Sequence, residues 1–188
     1  YGGAGVDTIT IAKTMAGTKN YIYGDAGNDT MNVNGGSSNY IYGGAGADTI
    51  TVASTAGNSN KIYGEAGADQ ITISGGTQAV DAGADGDTIT VNGGNKHTLR
   101  GGYGSDNYII NSAISSGTSL TINQSDYKSK DADTLTLSKV KKADVSYDLL
   151  NGKLTIKHTS GGTITVSGWD VNPFSKIVFK DGNVTGAA

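Results

Sequence analysis

The sequence predicts an all-β fold in which short two-stranded coils stack into a parallel solenoid closed by a C-terminal β cap. Three observations carry that expectation. Glycine supplies 30 of the 188 residues and proline one, a composition of turns rather than helices. Short runs rich in Ile, Val, Thr and Tyr recur between the glycines, which separates the chain from a disordered glycine-rich linker. One six-residue turn then repeats: Gly-Gly-Ala-Gly-Val-Asp ending at Asp7, Gly-Asp-Ala-Gly-Asn-Asp at Asp29, Gly-Gly-Ala-Gly-Ala-Asp at Asp48, Gly-Glu-Ala-Gly-Ala-Asp at Asp69, a weaker Ala-Gly-Ala-Asp-Gly-Asp at Asp87, and Gly-Gly-Tyr-Gly-Ser-Asp at Asp106. The steps between these aspartates are 22, 19, 21, 18 and 19 residues, so each period holds two strands, this turn and a second turn of variable length.

A β run follows each aspartate: Thr8 to Ile11, Thr30 to Val33, Thr49 to Val52, Gln70 to Ile73, Thr88 to Val91 and Asn107 to Ile110. Successive strand residues face opposite sides, so Ile9, Met31, Ile50, Ile71, Ile89 and Tyr108, with Ile11, Val33, Val52, Ile73, Val91 and Ile110 two places on, form one inner wall. The runs that precede the turns, such as Asn20 to Tyr23, Asn39 to Tyr42 and Asn60 to Tyr63, supply Ile22, Ile41, Ile62, Val80 and Leu99 to the opposite wall. One coil cannot bury its own apolar face, so stacking stabilises the unit and its ends need caps.

The turns carry the chemistry. Equivalent aspartates of stacked coils are expected about 5 Å apart, the strand spacing of a sheet. At that separation neighbouring carboxylates repel by roughly 3 kcal/mol at an effective dielectric near 20, whereas a divalent cation between them reverses the sign. The donors on offer, Asp7, Asp29, Asp48, Asp69, Asp87 and Asp106 with the turn carbonyls, are all hard oxygens. That set favours Ca2+, which takes about 6 to 8 oxygens in flexible geometry, over the more strictly octahedral magnesium.

This six-residue turn followed by a short hydrophobic strand resembles the glycine-rich nonapeptide of the repeats-in-toxin (RTX, haemolysin-type) family of secreted bacterial haemolysins, adhesins, lipases and proteases. The resemblance covers residues 1–111. It implies a right-handed parallel β-roll with calcium between successive turns, folding on calcium binding after passage through type I secretion machinery, hence a secreted or extracellular location. It also implies carbonyl ligands, here those of Gly3, Gly5, Gly27, Gly44, Gly46, Gly67, Gly83, Gly102 and Gly104. Asp25 and Glu65 replace the second glycine of their turns, and Asp85 replaces the third; Asp85 is expected to contribute as a metal ligand through its carbonyl or its side chain. The family's usual coil carries calcium turns on both sides. Here the opposite side (34–38, 53–59, 74–77 and 92–96) has no repeated aspartate, so calcium is expected along one edge only, while Asn20, Asn39 and Asn60 are expected to close the other edge as a side-chain ladder.

Character changes near Ser112, which divides a roll of six glycine-rich turns, 1–111, from a cap, 112–188. Glycine thins and strands are expected at Ser119 to Ile122, Asp133 to Leu137, Val145 to Leu150, Lys153 to Lys157, Thr163 to Val166 and Lys176 to Phe179, with Asn151-Gly152 as a hairpin turn. The cap resembles the segment that follows the repeats in many family members, and Trp169 and Phe174 are expected in its core.

Several classes are disfavoured. A net charge of −3 offers no basic surface for nucleic acid, and the chain has no cysteine for disulfides or thiolate chemistry. No apolar run is long enough to span a membrane. His97 and His158, the only histidines, fit no nucleophile or zinc motif, so no catalytic residue is assigned and the chain is not expected to be an enzyme. The sequence starts at Tyr1 and reads as a fragment. Besides the calcium-triggered module, an adhesive module contacting polysaccharide or ice stays open, through flat files of Thr8, Thr10, Thr49, Thr51, Thr88 and Thr90 or of Tyr23, Tyr42 and Tyr63.

Overall fold

A computed structural model describes residues 1–12, 19–124, 131–169 and 173–185, the side chains of 183–185 excepted. Among these residues the chain is all-β apart from one short 3-10 turn at Lys142–Asp144. Two parallel sheets face each other. One contains Gly3–Ala4, Tyr21–Ala26, Tyr40–Ala45, Asn60–Ala66, Thr77–Ala84, Lys96–Tyr103 and Ser119–Asn123 in that spatial order; the other contains Thr8–Ile11, Thr30–Val33, Thr49–Val52, Gln70–Ile73, Thr88–Val91, Asn107–Ile110 and Thr134–Leu137. Each strand pairs with its equivalent one coil away and in register, for example Ile22 with Ile41 and Ile50 with Ile71. The period read from the aspartates is therefore one turn of the solenoid.

The core is the double wall expected from alternation. Met31, Val33, Ile50, Val52, Ile71, Ile73, Ile89 and Val91 face Ile22, Ile41, Ile62, Val80 and Leu99, all buried. Each such side chain contributes roughly 1.5–3 kcal/mol by leaving water. In the first coil Ile9 and Ile11 are only partly buried. Tyr108 is buried too, its ring edge-on to Phe174 and its hydroxyl accepting the Gly101 N–H.

Parallel pairing does not stop at residue 111. Ser119–Asn123 pairs with Lys96–Tyr103 and Thr134–Leu137 with Asn107–Ile110, and a further coil follows from Thr163–Ser167 and Lys176–Phe179. What changes near Ser112 is glycine content, not the ladder. The antiparallel elements are the hairpin Val145–Leu150 and Lys153–His158, which joins Thr163–Ser167, and the strand Gly182–Thr185 on Lys176–Phe179. Asn151 and Gly152, at φ 50° and 67°, make the tight turn their sequence predicts, with both residues left-handed. Trp169 and Phe174 pack edge to face in the interior of this region.

Candidate metal edge

All six repeat turns lie along one edge, and their aspartates form a continuous file. Asp29, Asp48, Asp69, Asp87 and Asp106 are buried, while Asp7, in the first coil, is partly exposed. The N–H of Asp7 donates to Oδ1 of Asp29 at 2.8 Å, and the same bond repeats from Asp29 to Asp48, Asp48 to Asp69, Asp69 to Asp87 and Asp87 to Asp106 at 2.7–2.9 Å. One oxygen of each carboxylate thus fixes the stacking of coils. The other, Oδ2, is buried in Asp29, Asp48, Asp69 and Asp87 with no hydrogen-bond donor among the described residues.

Buried acceptors without donors cost free energy unless a cation or proton satisfies them. Burial, reinforced by the neighbouring carboxylates, pushes Asp69 up to about 7 and Asp87 up to about 8; burial raises Asp48 as well. The backbone N–H donors pull the other way and lose.

The turn backbone places further oxygens along this edge. Positions two and four of each turn have left-handed φ, including the non-glycine residues Asp25 (73°), Glu65 (79°) and Asp85 (77°), a strain of about 1–2 kcal/mol each. Their carbonyls face the following coil: a β-carbon on Gly27, Gly44, Gly46, Gly67, Gly83, Gly102 or Gly104 would fall 1.8–2.2 Å from the oxygen of Gly5, Asp25, Gly27, Gly46, Glu65, Gly83 or Asp85. For Gly3 and Gly5, in the first coil, the corresponding space is open. Position-three carbonyls face the preceding coil, where Ala26, Ala45 and Ala66 accept the N–H groups of Gly5, Gly27 and Gly46. The three substitutions noted in sequence therefore leave the turn geometry intact.

Two kinds of site residue escaped the sequence reading. Position-one carbonyls also point back to the preceding coil: a β-carbon on Gly43 would meet both Oδ2 of Asp48 at 2.4 Å and the oxygen of Gly64 at 2.6 Å, and Gly24 and Gly64 are placed alike. A carboxylate oxygen of one coil and a carbonyl of the next thus converge on one spot. Asp133 is the second omission, a seventh member of the file, its Oδ1 accepting the Asp106 N–H at 2.7 Å. Its turn lacks glycine, but Asp133-Thr-Leu-Thr-Leu repeats the pattern of Asp48-Thr-Ile-Thr-Val. Among the described residues no three carboxylate or imidazole side chains cluster. A cation here must take most of its ligands from backbone, which suits calcium and excludes a site of zinc type.

The second edge is built differently. The N–H of Asn20 donates to Oδ1 of Asn39, that of Asn39 to Oδ1 of Asn60, that of Asn60 to Oε1 of Gln78, and that of Gln78 to Nδ1 of His97. The ladder extends through Gln78 and His97, which were not foreseen because their identities differ although the acceptor occupies the same place. Accepting at Nδ1 makes Nε2 the donor, to the Gly93 carbonyl at 2.9 Å, and burial lowers the His97 pKa. His158 is partly buried, its Nδ1 2.7 Å from the Ser160 Oγ. Ser160 Oγ also lies 2.8 Å from the Ile114 carbonyl, and among the described residues no carboxylate hydrogen-bonds either ring.

Residues 19–38, 35–54 and 52–77 match the family described as RTX calcium-binding nonapeptide repeat (4 copies). No curated protein matches the chain. Residues 19–77 thus carry RTX calcium-binding repeats, and the structure they form is a parallel β-roll. No helix among the described residues is long and apolar enough to cross a membrane.

Proposed function

We propose that this chain is a calcium-triggered folding module of a secreted bacterial protein, exported unfolded through type I secretion machinery and folded outside the cell, with no catalytic role of its own. The observation that supports it most is the file of buried carboxylate oxygens without donors, a feature that makes the metal-free roll costly and the metal-bound roll favourable. Calcium is assigned to the gaps between successive turns. Its ligands there are Asp7, Asp29, Asp48, Asp69, Asp87 and Asp106 with the carbonyls of Gly3, Gly5, Gly27, Gly44, Gly46, Gly67, Gly83, Asp85, Gly102 and Gly104, joined by position-one carbonyls such as those of Gly43 and Gly64. When bound, the ion supplies positive charge that neutralises the file and bridges adjacent coils. Residues 112–188 then serve as the closing unit that covers the last coil, whose open strand edges would otherwise recruit other chains.

Linkage gives the mechanism. An ion that binds only the folded chain stabilises it by about 2.7 kcal/mol at a hundredfold excess over Kd, and several such gaps in series make folding steep in calcium. Circular dichroism of the chain titrated from chelator into millimolar calcium tests this. Cooperative gain of β signal with calcium, absent with magnesium, is the expected result; full β signal in chelator would overturn it.

A further inference from the structure

On the outer face of the first sheet, Tyr1, Tyr23, Tyr42 and Tyr63 stack ring on ring, with centroids 4.7–4.9 Å apart and planes within 9° of parallel. Such a stack is not the flat aromatic platform its sequence predicts. Interior rings spend both faces on one another and show solvent only their edges and hydroxyls.

The stack ends at Tyr63, because the register puts Asp81 in the next coil and Arg100 in the one after. In the adjacent file Lys61 is followed by Ala79 and Thr98. Side chains therefore shrink over one coil and rise again, leaving a cleft of about 240 Å³ lined by Lys61, Tyr63, Ala79, Asp81, Thr98 and Arg100. With coils about 4.8 Å apart, the space between Tyr63 and Arg100 is one ring thick. The open face of Tyr63 forms one wall. Arg100, paired at 3.0 Å with Asp81 of the coil between and like it about one-third exposed, forms the other.

We propose that this slot binds a carboxylate-bearing pyranose, a hexuronate-type sugar, its ring taking the place that the next tyrosine of the stack would occupy. The apolar face of a pyranose packs on an aromatic ring, and the hydroxyls at its rim need the donors and acceptors that Asp81, Arg100 and Thr98 supply; a bare aromatic ring would leave those groups unsatisfied. Charge selects the acidic sugar. Lys61 and Arg100 against Asp81 leave one net positive charge in the slot of a chain whose total is −3, and guanidinium and ammonium groups favour a carboxylate. The proposal does not depend on the export reading.

The test uses the calcium-loaded chain with a methyl hexuronide as probe, read by saturation-transfer NMR and isothermal titration. Ala79→Trp fills the slot without removing a polar group, Tyr63→Leu removes the aromatic wall, and Tyr21→Leu removes an exposed tyrosine elsewhere on the same face; circular dichroism confirms the fold of each. A single sugar is expected to bind with Kd of about 1–10 mM and to weaken at least about tenfold in Ala79→Trp and in Tyr63→Leu. Binding to Tyr21→Leu should match the parent, and the neutral methyl hexoside should bind more weakly. No transfer to the hexuronide overturns the proposal, and so does binding that survives Ala79→Trp, which would place the sugar elsewhere, including on calcium at the turn edge. Equal binding of the neutral sugar refutes the charge argument. Tighter binding of N-acetyltyrosinamide would make the slot a receptor for an aromatic side chain instead.

Discussion

Asp48 does two jobs with one carboxylate. Its Oδ1 holds the Asp29 N–H, and its Oδ2, buried with no donor among the described residues, is the oxygen we assign to calcium. Asp48→Asn keeps an acceptor for the first job and removes the charge needed for the second, so it should raise the calcium midpoint for folding while leaving the fold attainable at higher calcium. Asp48→Ala loses both and should raise the midpoint further, and by more than Asp7→Ala, since an interior turn borders two gaps; calcium titrations followed by circular dichroism compare the three. Protons compete for the same oxygens. Asp69 and Asp87, near 7 and 8 when folded, hold protons that the unfolded chain releases near its ordinary carboxylate value of about 3.9. Stability contributed this way is fully present below the unfolded value and is lost as pH rises through the folded ones. His97 acts oppositely, because its lowered pKa withdraws stability below about 6.5. In chelator, melting temperature should therefore fall between about pH 6.5 and pH 8. Calcium should abolish that slope, and calorimetry in buffers of different ionisation enthalpy at pH 7 should show proton release on binding. A flat profile in chelator would mean the carboxylates ionise freely in the metal-free roll.

The two edges of each coil are closed by different chemistries, and substitutions should separate them. Asn39 is fully buried; its side chain accepts the Asn20 N–H and donates to Gly35 O. Asn39→Ala leaves those backbone groups unpaired at a cost of about 1–3 kcal/mol. No excess of calcium should offset that loss at its own edge, whereas excess calcium should rescue Asp48→Asn. Thermal melts of both variants at low and high calcium make the comparison, and equal rescue would refute the division. This division was legible in sequence, since aspartate recurs at one edge and asparagine at the other. Gln78 and His97 were not, because a ladder needs an acceptor at a fixed place and not a fixed residue type. Position-one carbonyls were hidden for a related reason: backbone oxygens leave no mark on residue identity, and only the turn's φ pattern shows which coil each one faces.

Across the whole molecule, the period of about twenty residues was enough to place both walls of the core, since a strand's alternation and a constant register leave little freedom. Less was legible after Ser112. Falling glycine content suggested a separate cap, yet the parallel ladder continues through Ser119–Asn123, Thr134–Leu137, Thr163–Ser167 and Lys176–Phe179; strand pairing needs backbone and apolar alternation, not glycine. Metal dependence should follow the file of aspartates rather than the ladder. Hydrogen exchange is expected to show residues 20–90 losing protection in chelator while the hairpin Val145–Leu150 and Lys153–His158 loses less, and uniform loss would mean the molecule melts as one unit. The most direct test of where calcium lies is anomalous scattering from crystals grown with calcium. Peaks should run in a single row between successive aspartates from Asp7 to Asp106, reaching Asp133 if the seventh turn takes part, with none beside residues 53–59 or 92–96. Peaks of equal strength along the asparagine edge, or none beside Asp48, would contradict calcium bridging along one edge.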